Sequence, residues 1–273
     1  MAASIVPFDP LKTTGQFYAV LKSVSEFDKL EVSGVIHTLL ATSDREKCFI
    51  ATYLRGSGNV ATLLELKWPK DFQAINMLAR ALFELAVDAR LINVIPMAPE
   101  KMIAFVDVEK LRCARKILKF HAAHTVTKVD TSIYSSFVAS EGKRIDGLRA
   151  SLWPGLKKLS HWSGMNLPDR TKLLKAFPFE ELYEVNYPHL SWQVHSGLTG
   201  VVNLKAATFT TMCGCAFILA ADSYREILLA MIEEFKIDKA DDKIKTKLKA
   251  AKMLPFTESQ EQAEQLLREA GRN

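Results

Sequence analysis

The sequence is short of the residues that interrupt regular structure. It has 12 glycines and 10 prolines in 273 residues, and the glycine share is below the usual level of about 7%. A β-sandwich or β-barrel needs many tight turns, which depend on glycine and proline. The composition therefore disfavours an all-β fold. A hydrophobic content of 48% also excludes a chain that is disordered throughout.

Segments that export or anchor a protein are also missing. The first ten residues show no basic stretch followed by an apolar core, so we expect no secretory signal. The most apolar stretch, 206–221, contains three threonines and is shorter than the ~20 residues that span a bilayer. We predict a buried helix there, no membrane contact and a cytoplasmic location. The four cysteines form no C-x-x-C pair, which predicts buried free thiols in a reducing compartment.

The sequence lacks the signature motifs of several enzyme classes. It contains no G-x-x-x-x-G-K-[ST], no G-x-G-x-x-G, no G-x-S-x-G and no H-E-x-x-H. Nucleotide hydrolysis by a P-loop, dinucleotide binding and serine hydrolysis of the α/β type are therefore disfavoured. We predict no cofactor and no metal. The net charge of +5 is small for a nucleic-acid binder and leaves RNA contact open.

Helical periodicity dominates the apolar pattern. In the stretch 72–95, apolar residues recur at intervals of three and four, as in Ile75, Leu78, Leu82 and Leu85. We predict a central helix over 72–95 and a second core helix over 203–235. The sequence thus predicts an all-α protein: one helical-bundle domain of about eight to ten helices over residues 1–238. A charged C-terminal helical extension is predicted over 239–273.

Two stretches give weaker signals. Residues 45–54 fit either a helix or a strand, and the glycine-rich stretch 56–59 predicts a loop that closes this element. Residues 130–152 predict a further helix that is interrupted near Gly142 and Gly147.

Two pairs of polar residues stand out in apolar surroundings. Arg80 and Glu84 are four residues apart in the central helix, so they share one helix face. Buried charges need partners, so each is expected to pair with the other or with another group. Ser191 and His195 are also four apart, and Tyr187 precedes Ser191 by four. This spacing predicts a Tyr–Ser–His stripe on one helix.

The stripe has the components of proton-transfer chemistry. A histidine with a pKa near 6.5 exchanges a proton close to neutral pH. Ser191 could orient His195, and Glu84 could fix the tautomer of its ring. We therefore take His195, Glu84, Arg80 and Ser191 as candidate catalytic residues. A polar network that only holds the helices together is an equally open interpretation. Acylation of Ser191 is the weakest alternative, because the sequence shows no turn that would form an oxyanion hole.

These residues carry a resemblance to a known family. The matching pieces are Arg80 and Glu84, the run His161-Trp162-Ser163-Gly164, and the run from Tyr183 through Tyr187, Leu190 and Ser191 to Val194 and His195. In order and spacing they resemble an uncharacterised bacterial family of helical proteins with the patterns R-x3-E, W-[ST]-G and Y-x3-Y-x2-L-S-x2-V-H. The resemblance covers residues 71–197.

That family is similar to the HEPN helical bundles, which include dimeric RNA-cleaving toxins and defence proteins. Their catalytic motif is an arginine, four to six residues and then a histidine. If His195 is this histidine, Pro188, His189 and Leu190 stand where the arginine should be, although Arg80 could reach the same place from another helix.

The resemblance implies two functions, which stay open here. The first is a binding or regulatory module in phage defence or stress response. The second is a metal-independent ribonuclease or toxin, in which His195 moves protons, Glu84 orients it and Arg80 holds phosphate. The implied partners are RNA or protein, with a homodimer as one arrangement.

Overall fold

A computed structural model describes residues 9–124, 129–175, 177–191 and 205–237. The helices in chain order are α1 (Pro10–Phe27), a π-helical turn (Asp28–Val32), α2 (Ser33–Thr38), α3 (Asp44–Glu65), α4 (Phe72–Leu91), α5 (Ala98–Ala123), α6 (Ser132–Leu152), α7 (Leu167–Leu173), α8 (Phe179–Val185), α9 (Tyr187–Ser191) and α10 (Ala206–Phe235). The described residues contain no strand. The predicted all-α bundle of about eight to ten helices is confirmed. The extension predicted over 239–273 lies outside the described residues.

Helices α4 and α10 form the centre of the bundle, and α1 and α3 pack around them. From Phe217 to Ile232, almost every side chain of α10 is buried, as its apolar sequence predicts. Helix α10 begins at Ala206 and ends at Phe235. Its C-terminal end is the predicted residue 235. Helix α4 ends at Leu91, earlier than the predicted residue 95, because the chain continues there as hydrogen-bonded turns rather than as helix.

The loop predicted at residues 56–59 is wrong. Helix α3 runs without a break through Gly56 and Gly58. A Cβ atom on Gly56 would lie 3.0 Å from Cδ1 of Ile227 and 3.6 Å from the ring of Tyr224 on α10. The missing side chain therefore lets α3 approach α10 closely. This packing outweighs the low helix propensity of glycine, which costs about 1 kcal/mol.

The interruption predicted in the helix after residue 130 is also wrong. Helix α6 is continuous past Gly142 and Gly147. Gly142 is buried, and a Cβ atom there would lie 3.4 Å from Nη2 of Arg115 on α5. Helices α5 and α6 pack as a hairpin with a small apolar core of its own, formed by Ala104, Val108, Leu111, Ile145, Trp153 and Leu159.

Helices α3 and α4, which border the candidate site described below, run antiparallel to each other. A capping box starts α3: Ser43 Oγ accepts the backbone N–H of Glu46, and the Glu46 carboxylate accepts the backbone N–H of Ser43. Hydrogen bonds from Thr42 and Ser43 lower the pKa of Glu46. At this end Arg45 donates to the carbonyl of Ile92, 3.3 Å away, just past the C-terminus of α4. The start of α3 thus lies beside the end of α4.

A buried carboxylate ties the π-helical turn to the core. Asp28 accepts hydrogen bonds from the hydroxyls of Tyr53 on α3, at 2.9 Å, and of Tyr224 on α10, at 2.5 Å. Burial raises the pKa of Asp28, although the hydrogen bonds from the two tyrosines oppose that shift. The cluster joins three helical elements through one acidic group.

None of the described helices combines the length and the apolar character that crossing a bilayer requires. The prediction of four buried thiols is wrong for two of them. Cys48 and Cys213 are buried, but Cys113 and Cys215 are exposed.

Candidate functional site

A cleft opens between α3, α4, α5 and the segment at residues 161–162. Its volume is about 890 Å³, which is near the upper end of the range of about 300–1,000 Å³ for small-molecule sites. Apolar groups from Cys48, Leu85, Met102, Phe105 and Trp162 line much of it, and Arg80, Glu84, Asp88 and His161 add polar groups.

Helix α4 supplies a ladder of three charges to this cleft. Arg80, Glu84 and Asp88 are spaced by four residues, so they lie on one face of the helix, about 6 Å apart along its axis. The other side of α4 is fully buried in the core, through residues such as Leu82 and Phe83. The core therefore fixes the rotation of α4, and that rotation points the ladder at the cleft.

The first cluster joins Arg80, Glu84 and Tyr187. Arg80 Nε donates to Glu84 Oε1 at 3.0 Å, and the Tyr187 hydroxyl donates to the same oxygen at 2.7 Å. The guanidinium of Arg80 also lies over the Tyr187 ring, 4.9 Å from its centroid, a cation–π contact. Burial raises the pKa of Tyr187, and its hydrogen bond to Glu84 raises it further. Burial works against the charge of Arg80, but its contacts with Glu84 and Tyr187 give it a raised pKa.

The second cluster joins Asp88, His161 and Arg170. Arg170 Nη1 donates to Asp88 Oδ1 at 2.8 Å, and His161 Nε2 lies 3.1 Å from Asp88 Oδ2. Arg170 Nη1 is also 2.9 Å from His161 Nε2. Arg170 is 5% exposed, so a nearly buried guanidinium holds the carboxylate from behind the cleft wall.

Ser163 fixes the other side of the His161 ring. The backbone N–H of Ser163 lies 3.2 Å from His161 Nδ1, and Ser163 Oγ lies 2.8 Å from it. A backbone N–H can only donate, so Nδ1 is an acceptor. The other nitrogen, Nε2, faces both the Asp88 carboxylate, which can only accept, and Arg170 Nη1, which can only donate. Gly164, with φ of +78°, makes the turn that places Ser163 here.

Two buried donors at this wall have no acceptor among the described residues. Trp162 lines the cleft and is 4% exposed. Its indole Nε1 makes no hydrogen bond to any described residue, and neither does Nε of Arg170. Buried donors without an acceptor are rare in native proteins.

The structure brings together two of the four candidate residues from the sequence. Arg80 and Glu84 are paired as expected, and Tyr187 joins them. Ser191 is the last residue of α9, but its side chain and all of His195 lie outside the described residues. The contact between Glu84 and His195 therefore stays a prediction.

The sequence interpretation missed His161, Asp88 and Arg170 as site residues. Two signals could have found the first two. Asp88 continues the four-residue spacing of Arg80 and Glu84, and His161 belongs to the His-Trp-Ser-Gly run that carried the family resemblance. Nothing in the short helix α7 distinguishes Arg170 from an ordinary surface arginine.

Comparison of the chain with protein-family models, with curated proteins and with solved structures gives no match.

Proposed function

We propose that this protein is a binding module whose cleft holds a small molecule, with a regulatory role of the kind that the sequence resemblance implies. The observation that carries the proposal is the Arg80–Glu84–Tyr187 cluster. A charged pair and a tyrosine hydroxyl are fixed at the edge of a largely apolar cleft of about 890 Å³. A few converging polar groups in an apolar cavity are the usual composition of a ligand site.

The state of His161 favours binding over catalysis. Both of its ring nitrogens already have protein partners, Asp88 and Arg170 on one side and Ser163 on the other. A general base needs a nitrogen that can reach the proton of a substrate. In this arrangement the imidazole stabilises the cleft wall, and Arg80, Trp162 and the apolar lining contact the ligand.

Filling the cleft should prevent binding. Ala81 lies on α4 and lines the cleft, so an indole ring in its place would occupy the space. N-phenyl-1-naphthylamine is an uncharged apolar probe that gains fluorescence in apolar surroundings. We expect the wild-type protein to bind it and Ala81→Trp to weaken binding at least about tenfold, equivalent to about 1.4 kcal/mol.

The matched control is Ala139→Trp, which adds the same ring at an exposed position on α6. It should leave the affinity unchanged. Equal binding by the wild-type protein and both variants would show that the probe does not enter the cleft and would contradict the proposal.

A second candidate is metal-independent RNA cleavage, and the position of α9 favours it. Tyr187 on α9 contacts Glu84 and Arg80, and α9 ends at Ser191, four residues before His195. In this candidate, His195 is the general acid or base and Arg80 holds the scissile phosphate.

The test is incubation of the pure protein with a structured RNA in the presence of a chelator. If this candidate is correct, the RNA is cut, and His195→Ala slows cutting by about 10²-fold or more, with an unchanged unfolding midpoint. His124→Ala, at the exposed end of α5, is the control and should cut at the wild-type rate. Intact RNA with the wild-type protein, or equal cutting by His195→Ala, would eliminate this candidate.

A further inference from the structure

We infer that the ligand of the cleft combines one acidic group with an apolar body, and that the acidic group lies between Arg55 and Arg80. This inference rests on the proposed binding function and adds the chemical class of the ligand. Three features carry it: the pairing of charges in and behind the cleft wall, the position of the two arginines along the helices, and the apolar groups that line the cleft beyond Arg80.

The charge balance leaves one positive charge without a partner. Three of the cations in and behind the cleft wall are paired, Lys47 with Asp44, Arg80 with Glu84, and Arg170 with Asp88. Arg55 also lines the cleft. It makes no ion pair or hydrogen bond with any residue in the part of the chain that the structure describes. The lining holds three cations and three carboxylates, but Asp88 is paired with Arg170 behind the wall. Arg55 is therefore one positive charge without a partner among the described residues, and a single acidic group would complement it.

Arg55 on α3 and Arg80 on α4 lie at similar distances from the turn that connects these two antiparallel helices. Arg55 is ten residues before the end of α3 at Glu65, and Arg80 is eight residues after the start of α4 at Phe72. At about 1.5 Å per residue, they are about 15 Å and about 12 Å from the turn that connects the helices. Both side chains also line the cleft, so we place the acidic group between them.

Arg80 keeps donors for such a group. Its Nε hydrogen goes to Glu84, while its two terminal amino groups make no hydrogen bond to a carboxylate among the described residues. The Glu84 carboxylate already pairs with Arg80 and accepts a hydrogen bond from the hydroxyl of Tyr187. The terminal amino groups of an arginine fit the oxygens of a carboxylate, sulfonate or phosphate.

Apolar groups line the cleft beyond Arg80. Leu85, five residues beyond Arg80, lies about 7.5 Å further along α4, and the rings of Phe105 and Trp162 line the cleft as well. Burial raises the pKa of the Cys48 thiol to about 11, so this group is neutral at physiological pH. An apolar ligand body about as long as two fused aromatic rings would therefore meet Cys48, Leu85, Phe105 and Trp162 here, beside charged groups that are already paired with one another, such as Asp88 with Arg170.

A matched pair of probes tests this inference. 8-Anilinonaphthalene-1-sulfonate has the same ring system as N-phenyl-1-naphthylamine and carries one added sulfonate. We expect Arg55→Met and Arg80→Met each to weaken binding of the sulfonate about tenfold, which is the size of one lost charge-assisted hydrogen bond. For Arg55→Met, binding of the uncharged probe should stay within about twofold of the wild-type affinity. Arg112→Met, at an exposed position on α5 paired with Glu109, is the control and should change neither affinity.

The outcomes separate the inference from the proposed function. If Ala81→Trp weakens both probes but neither arginine variant affects the sulfonate, the cleft binds ligands and the inference is wrong. If neither probe responds to Ala81→Trp, the proposed function itself is wrong. Should Arg80→Met fail to fold because Glu84 loses its partner, Arg55→Met decides, since Arg55 is exposed and its loss breaks no described contact.

Discussion

Replacement of Arg170 by methionine should destabilise the protein by about 3 kcal/mol. Removal of one partner from a buried ion pair typically costs about 3–5 kcal/mol, because the other charge stays behind without compensation. Here Arg170 is 5% exposed and donates to Asp88 at 2.8 Å. The side chain of Asp88 keeps 17% exposure on the cleft side, so we expect the lower end of that range.

Urea unfolding of the wild-type and variant proteins measures this effect. The control is Arg144→Met on α6, which removes an equally long cation from exposed pairs with Glu141 and Asp107 and should cost less than about 1 kcal/mol. The double variant Asp88→Asn with Arg170→Met should regain part of the lost stability, because it also removes the unpaired carboxylate. A loss below about 1 kcal/mol in Arg170→Met would contradict the view that this arginine supports the cleft.

The fold was predictable where the sequence pattern is local and repetitive. The spacing of apolar residues in α4, and the almost continuous apolar sequence of α10, each follow from the period of a helix whose sides are buried. Both helices could therefore be identified without knowledge of their neighbours. The end of α4 was less predictable, because apolar residues continue past Leu91 in turns that bury some of them too.

The glycines misled the prediction because their role depends on a distant helix. Propensity alone makes a Gly-Ser-Gly run a loop. In the folded protein, Gly56 lies against Tyr224 and Ile227 of α10, about 170 residues away in sequence. No pattern within α3 reports that contact, so the sequence could not show that a glycine there favours the helix.

The same difference between local and distant contacts explains which contacts of the site could be predicted from the sequence. Arg80 and Glu84 are neighbours on one helix, and their pairing followed from spacing alone. Their third partner, Tyr187, lies 103 residues from Glu84, and His161 lies 73 residues from Asp88. Such contacts depend on how α7, α8 and α9 return to α4, which composition and periodicity do not determine.

Replacement of Phe83 by alanine should have the largest effect of any single truncation next to the site, about 3–5 kcal/mol. Phe83 is fully buried on α4. Its ring centroid lies 5.9 Å from that of Phe179 and 5.6 Å from that of Tyr187. The variant would leave a cavity between α4 and the two short helices that carry these rings, so both the core and the support of Tyr187 would weaken.

Chemical denaturation of Phe83→Ala should be compared with that of Phe120→Ala, which removes the same ring from a position on α5 that is 56% exposed and should cost less than about 1 kcal/mol. Phe83→Leu, which keeps most of the volume, should cost about 1.5 kcal/mol or less. Because Tyr187 donates to Glu84 and stacks on Arg80, Phe83→Ala should also weaken binding of the sulfonate probe more than Phe83→Leu does. Equal losses of stability in the two alanine variants would mean that α8 and α9 do not pack on α4, and the Arg80–Glu84–Tyr187 cluster would then have no support from the core.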